Sequence, residues 1–340
     1  MDNRQIVLAD RPVGSVSDST TTLVTTPRPV CGEGQALIKV AMLSIDPTIR
    51  TWMDDAPGYL PPIQIGDVIR GSGAGVVVES CNEYYHEGDF VFGMTGWQEW
   101  VLATDDRRFS VIPSGLGLDL ATVMNVLGVT GITAYFGMTD VGNVHEGDVV
   151  VVSGAAGATG SVAGQIAKAH GARVIGIAGG AQKCVEVVEQ YGFDECVDYR
   201  EDHLTTRLRA ACPEGIDLYF DNVGGEILDA VLATLALKAR IVLCGAISQY
   251  NVSGPRRGIE HTSALITRRA RMEGFLVLDY EKRFAEAQGA LATMVLSGEL
   301  HHQEHVVVGL EHAPDALNLL FSGGNHGKTL VAVDETVQLG

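Results

Sequence analysis

Basic residues are scarce in this chain: 24 Lys and Arg stand against 42 Asp and Glu, a formal net charge of −18 at pH 7. Nucleic acid or an anionic membrane surface would be repelled, so neither is expected as a partner. Cysteine is sparse too. Cys31, Cys81, Cys184, Cys196, Cys212 and Cys244 are scattered without a CxxC pair, which suggests neither a zinc knuckle nor a disulfide framework and reads as reduced core or surface thiols. Long apolar runs are missing: none reaches the ~18 residues of a membrane span, and the opening MDNRQIVLADRPVG has no signal core, so a cytoplasmic location is the default expectation. Internal repeats and low-complexity segments are absent as well. What is present is 340 residues, 46% hydrophobic and 19% charged, enough for two packed cores.

The most informative stretch runs from Asp148 to Ile177, DVVVVSGAAGATGSVAGQIAKAHGARVIGI. Four valines, Val149 to Val152, are too few and too β-branched for a helix and suit a strand buried on both faces of a parallel sheet, ending at Ser153. Gly154, Gly157 and Gly160 follow where the chain must turn sharply, admit a ligand to its backbone and pack a new helix on the strand just left. That helix is predicted to start near Gly160. Val162, Ile166 and Ala169 recur at helical spacing, and Gly171 falls just past its end, before a second strand, Arg173 to Ile177. Strand, glycines, helix and strand in this order make a βαβ unit. The N–H groups and positive dipole end at its helix start favour a pyrophosphate over Gly157 to Gly160, so a dinucleotide is the expected guest. A purely structural strand-to-helix turn is the alternative.

A further absence bears on the nucleotide. An NAD-selective site usually has Asp or Glu at the end of the second strand to bond the ribose hydroxyls. This chain has Gly179 and Gly180 there, no acid until Glu186, and Lys183 opening the next helix. A cation where a 2′-phosphate would sit favours NADP over NAD.

From Gln5 to about Pro113 short strand-like runs (Gln35 to Val40, Gly75 to Glu79, Asp89 to Phe92, Glu99 to Ala103) alternate with Gly, Pro and Asp, as in an antiparallel, barrel-like β domain. Within it, Asp46 before Pro47 reads as a structural N-cap to which Arg50 could pair back. A helix-like segment from Ala121 to Val141, rich in glycine, suits a tightly packed connection. Beyond Asp148 the chain alternates: helix Lys183 to Tyr191, strand Glu195 to Asp198, helix His203 to Ala211, strand Asp217 to Asp221, helix Glu226 to Leu235, strand Arg240 to Leu243 and a late strand near Gly274 to Leu278. This pattern predicts an α/β fold with a doubly wound parallel sheet. Ala246 to Ala264, with Tyr250, Pro255, Arg256 and Arg257, is a candidate lid. Glu281 to Ser297 reads as a helix, and strands His305 to Val308 and Lys328 to Val333 would return to the first domain. The expected domains are 1–122 with 305–340, and 123–304.

Several motifs carry a family likeness: NRQIVLADRPVG, LSIDPTIR, GWQEW, GITAYFG, AAGATGSVAGQIAK, FDNVGGE, CGAISQYN, RMEGFLV and GKTLV. In this order they resemble the zinc-independent medium-chain dehydrogenase/reductases of the leukotriene B4 12-hydroxydehydrogenase, prostaglandin reductase and curcumin-type alkenal/one reductase group. The resemblance implies a Rossmann domain beside a GroES-like β domain, a homodimer, and NADP(H) as cofactor. It implies contacts from Gly157, Ala158, Thr159 and Gly160, from Lys183, Tyr199 and Asn222, from Cys244, Gly245, Ala246, Ile247, Ser248 and Tyr250, from Phe275, Leu276 and Val277, and from Asn325. Plainer readings stay open: Tyr199 closing a strand, Asn222 capping the helix from Glu226, Phe275 to Val277 as core strand. Zinc-dependent relatives need a Cys near position 46 and Gly-His-Glu near Gly71. Asp46 and Gly71-Ser72-Gly73 stand there, so no metal is expected. Departures from the group fall at and beside the expected substrate pocket, with Thr48-Ile49 in place of Tyr-Met and Val129-Thr130 in place of Met-Pro, and near the 2′-phosphate, with Gly180 in place of a frequent serine.

The implied reaction is NADPH-dependent reduction of the carbon–carbon double bond of a small enone or enal. Hydride goes to the β-carbon, and Tyr250 with a ribose hydroxyl donates to the enolate oxygen. A quinone reductase and a non-catalytic NADPH-binding regulator are the alternatives.

Overall fold

The computed structural model describes residues 2–104, 108–256 and 258–336. The chain forms two compact units, one from residues 1–124, 304–325 and 329–340 and the other from residues 125–303 and 326–328.

The first unit is antiparallel. Its strands are β1 (Asp2–Leu8), β2 (Thr21–Pro27), β3 (Ala36–Ser44), β4 (Gly73–Ser80), β5 (Phe90–Gly93), β6 (Trp100–Ala103) and β7 (Phe109–Val111). β1 and β2 form a ribbon, which the strand reading missed because no β2 residue is buried and its sequence, TTLVTTP, gives no apolar run. The expected N-cap at Asp46 is corrected. The short helix Thr48–Trp52 has Pro47 at its cap, and the Asp46 carboxylate accepts instead from Ser44 Oγ at 2.6 Å. Arg50 bonds Asp54 and the carbonyls of Pro12 and Gly14.

The second unit holds the parallel strands β8 (Val149–Ser153), β9 (Arg173–Ala178), β10 (Glu195–Asp198), β11 (Ile216–Asp221), β12 (Leu235–Leu243) and β13 (Arg271–Gly274), in the order β10-β9-β8-β11-β12-β13. Val150, Val151 and Val152 are buried without exposure, as a strand covered on both faces requires. Val151, Ile175, Tyr219, Ile227, Val231 and Ile241 share one core. The strand order reverses between β8 and β11, so the crevice at their carboxyl ends is the place this topology offers a ligand. The late strand is shorter and earlier than Gly274 to Leu278. Its partner β12 ends at Leu243, paired with Gly274, and with no ladder left the chain passes through Phe275 and Leu276 into a 3-10 turn, Val277–Arg283.

Two last strands, β14 (Glu304–Val308) and β15 (Lys328–Ala332), join the antiparallel sheet, where Leu330 pairs with Ser44 of β3. No helix among the described residues is long and apolar enough to cross a membrane.

Candidate functional site

The site is built outward from the end of β8. Gly154 takes a positive φ of 61°, and its carbonyl accepts from Gly157 N at 2.9 Å, closing the turn. The helix starts at Ala158, two residues before the glycine expected to begin it, and runs to Ala169. Its first N–H groups, on Ala158, Thr159 and Gly160, have no acceptor within the helix and sit at the positive end of its dipole. A Cβ on Gly160 would strike the Gly154 carbonyl, whereas one on Gly157 would stand 3.1 Å from it. Gly160 therefore sets how closely helix and strand approach. Gly160→Ala should lower stability by about 1–3 kcal/mol, the usual range for overpacking, and Gly157→Ala by less; urea unfolding of the two variants checks this.

The neighbouring strand end locks the crevice. Asp221, buried at 0% exposure, accepts through Oδ1 from Tyr219 Oη at 2.7 Å, Ser153 Oγ at 3.0 Å, and the N–H groups of Val223 and Gly224 at 2.9 Å. Burial raises its pKa while these donors oppose the rise, and burial beside Asp221 pushes the Tyr219 phenol well up. Asn222 donates Nδ2–H to the Ser153 carbonyl at 2.7 Å and its backbone N–H to Ser153 Oγ at 3.0 Å. Asn222 is thus spent across β8 and β11 and does not cap the helix, which begins at Gly225 with Gly224 at its cap. Ser153 and Asp221 escaped the sequence reading as site residues, although each lies inside a quoted motif, because 68 positions separate them and nothing in either motif points to the other.

Next along the sheet, β9 ends at Ala178 and the chain turns through Gly179 and Gly180, the latter at a φ of 99°. Asp198 Oδ1 holds this turn by accepting from Gly180 N at 2.8 Å and Arg200 N at 2.9 Å. Tyr199 lies so close that a Cβ on Gly179 would be 2.9 Å from its ring and hydroxyl. Lys183 stands in the first turn of the helix Ala181–Glu189. Burial lowers its pKa, with Glu186 opposing and Arg200 adding to the shift. Arg200 Nη1 reaches within 3.6 Å of where a Gly180 Cβ would be. Tyr199 and Arg200 therefore stand against Gly179-Gly180, with Lys183 in the first turn of the helix that follows and within electrostatic reach of Arg200. Arg200 was missed, and the only signal for it was its position immediately after Tyr199.

The segment after β12 is stitched onto the β11 end. Cys244 N and Gly245 N donate to the Asp221 carbonyl at 2.9 and 3.0 Å, Ile247 N to Asn222 O at 3.2 Å, and Ser248 N to Val223 O at 3.1 Å. Burial, with Asp221 nearby, pushes the Cys244 thiol up to about 12, so it is neutral. The short helix Ile247–Tyr250 brings the Tyr250 hydroxyl back to accept from Ala246 N at 3.0 Å. Arg257 of the expected lid lies outside the described residues.

Three further elements complete the placement. Phe275 packs at Gly137, where a Cβ would be 2.8 Å from its ring; Leu276 is partly exposed; and Val277 opens the 3-10 turn. Asn325 is nearly buried, two residues before Gly327, which pairs with Gly157 and donates to Ala156 O at 3.2 Å. His326 Nδ1 lies 2.8 Å from Glu186 Oε2, which ties the same turn to the helix that carries Lys183.

Residues 4–111 match the family described as the N-terminal domain of oxidoreductase, and residues 158–294 match the zinc-binding dehydrogenases. The NADPH-dependent curcumin reductase of Escherichia coli is 39% identical over 97% of this chain and 97% of its own. The NADP(+)-dependent 2-alkenal reductase of Nicotiana tabacum is 40% identical over 89% and 88%. The crystal structure of CurA from Vibrio vulnificus in complex with NADPH superposes with a TM-score of 0.92 at 39% identity, covering 98% of this chain and 99% of that one. A zinc centre does not fit the donors present. Among the described residues no group of three His, Cys, Asp or Glu side chains could hold a metal. Asp46 is engaged by Ser44, and Gly71 abuts the Trp97 indole, 2.9 Å from a Cβ built there. With relatives of this similarity spanning nearly its whole length, the chain belongs to the curcumin and alkenal reductase branch of the medium-chain dehydrogenase/reductases.

Proposed function

We propose that this chain, an NADP-dependent oxidoreductase, reduces the carbon–carbon double bond of small α,β-unsaturated ketones and aldehydes. The cradle suits the cofactor: glycines where a Cβ would block the backbone, a helix start for the pyrophosphate, and Lys183, Tyr199 and Arg200 for the 2′-phosphate. Asn222, the Cys244 to Tyr250 segment, Phe275 to Val277 and Asn325 are proposed to hold the rest. When bound, NADPH supplies the hydride.

The observation that carries the reading is the Tyr250 hydroxyl, fixed by the Ala246 N–H in a loop anchored to Asp221, Asn222 and Val223. A phenol whose oxygen accepts a hydrogen bond is the stronger donor through its own O–H. Aimed at the oxygen of an enone, that donor binds the developing enolate more tightly than the ground-state carbonyl, which is how a positioned donor lowers the barrier. Tyr250 or solvent then protonates the α-carbon. Loss of NADPH absorbance with a simple enone, but not without substrate, is the expected result. Turnover with a quinone and not an enone would replace this reading by quinone reduction, and turnover with neither would leave a binding protein.

The donor set also implies that exhaustive chelation leaves the rate intact. Stoichiometric zinc that leaves together with activity would refute this. By the same family likeness we propose a cytoplasmic homodimer, which light scattering of the purified protein tests in part.

A further inference from the structure

Although no cysteines pair along the sequence, two meet in space. Cys184, in the helix Ala181–Glu189, and Cys196, in the edge strand β10, are free thiols whose sulfur atoms lie 2.8 Å apart, Cys196 Sγ–H donating to Cys184 Sγ. Both are partly exposed. The contact is closer than two sulfurs in simple van der Waals touch, and a disulfide, at about 2.05 Å, requires closure by less than about 1 Å. We propose that Cys184 and Cys196 form an oxidisable dithiol, a modification site at which hydroperoxides close a disulfide across the Lys183 and Tyr199 corner.

The geometry assigns the order of events. Burial, with Asp198 adding to it, raises the Cys184 pKa above that of a free thiol, but the hydrogen bond it accepts from Cys196, the Arg207 guanidinium and the Ala178 backbone oppose the rise. Burial holds Cys196 more firmly as the thiol. The thiolate is the nucleophile, so Cys184 reacts first and, with burial opposing it, slowly. Its sulfur attacks the terminal oxygen of the hydroperoxide. The S–O bond forms, the O–O bond breaks, and the alcohol, or water from hydrogen peroxide, leaves with a proton. The resulting sulfenic acid on Cys184 is attacked by the Cys196 sulfur, the S–S bond forms and water leaves. Two thiols supply the two electrons that reduce one peroxide, and an external dithiol reverses the step by exchange.

The location gives the modification a consequence, which rests on the NADP reading above. Lys183 precedes Cys184 directly, and Tyr199 and Arg200 follow Cys196 by three and four positions. Closing the bond draws the helix toward β10 and displaces Lys183 relative to Tyr199 and Arg200, so the charges that would receive a 2′-phosphate no longer converge.

The test treats the full-length protein with hydrogen peroxide, blocks remaining thiols, and maps peptides before and after dithiothreitol. A cross-link between the peptides of Cys184 and Cys196, reversed by dithiothreitol and absent from Cys184→Ser and Cys196→Ser, is expected. Oxidation should raise the Kd for NADPH at least about 5-fold, the lower end of ordinary coupling between sites, with NADH binding moved less. The Cys196→Ser protein should keep the reduced-state Kd under peroxide. Cross-linking elsewhere, or over-oxidation without a cross-link, overturns the proposal. A mapped cross-link with unchanged NADPH binding overturns its coupling to the corner. If the reduced protein binds NADPH no better than NADH, the NADP reading fails while the mapped disulfide still stands on its own.

Discussion

Lys183→Ala should weaken NADPH binding by about 1.5–3 kcal/mol, roughly 10- to 150-fold in Kd, and leave NADH binding almost unchanged. The lysine is half-buried in the first turn of its helix, where desolvation already disfavours the ammonium and lowers its pKa. A 2′-phosphate would add to the partial counter-charge that Glu186 already provides. Removing the lysine thus subtracts a charge-assisted contact that only NADPH makes. Arg200 remains within reach of Gly180, so the preference should shrink and not reverse; a Lys183→Ala, Arg200→Ala double variant should lose more than either alone. The lowered pKa gives a pH test with a definite sign. Below that pKa the lysine is charged and the NADPH preference is full, and as pH rises through it the preference falls. The fall should come at lower pH than for an unperturbed lysine near 10.4, and Lys183→Arg should abolish it, because a guanidinium stays protonated. Calorimetric titration of both cofactors across pH measures all of this. Equal loss of both cofactors in Lys183→Ala would remove the lysine from the 2′-phosphate.

Tyr250→Phe should lower turnover with an enone about 10- to 100-fold while NADPH affinity barely changes. The substitution keeps the ring and deletes the donor. It also deprives Ala246 N–H of its acceptor, which on its own could disturb the loop. Four other backbone bonds, from Cys244, Gly245, Ile247 and Ser248 to Asp221, Asn222 and Val223, hold the segment independently of the phenol, and Ser248 Oγ adds a fifth contact to Val223 O at 2.7 Å. The loop should therefore stay in place, and the loss should fall on turnover. A tyrosine that only packs would show the reverse, with affinity or stability reduced and turnover kept. Turnover, NADPH Kd and unfolding midpoint of this one variant separate the cases; unchanged turnover would remove Tyr250 from the catalytic role.

Much of the parallel-sheet unit was legible in the sequence because its signals are local. A run of β-branched residues buried on both faces can only be an inner strand, and Gly154 answers to its own positive φ while Gly157 and Gly160 answer to the Gly154 carbonyl a few positions away. The strand Glu195–Asp198 was read at its observed bounds for the same reason. The β1–β2 ribbon left no such trace, since no β2 residue is buried, and the end of β13 was set by where its neighbour β12 stops and not by its own residues.

Composition, glycine spacing, the missing acid after the second strand and the missing zinc donors were properties of the sequence by itself. They follow from backbone sterics, charge and ligand chemistry, which act over a few residues. Only the tertiary structure brought Ser153 to Asp221, placed Arg200 beside Gly180, decided against the capping alternative for Asn222 and laid Cys184 against Cys196. Each of these depends on which strands lie side by side in the sheet, and that order is decided by the packing of the whole core, to which no local pattern is a guide.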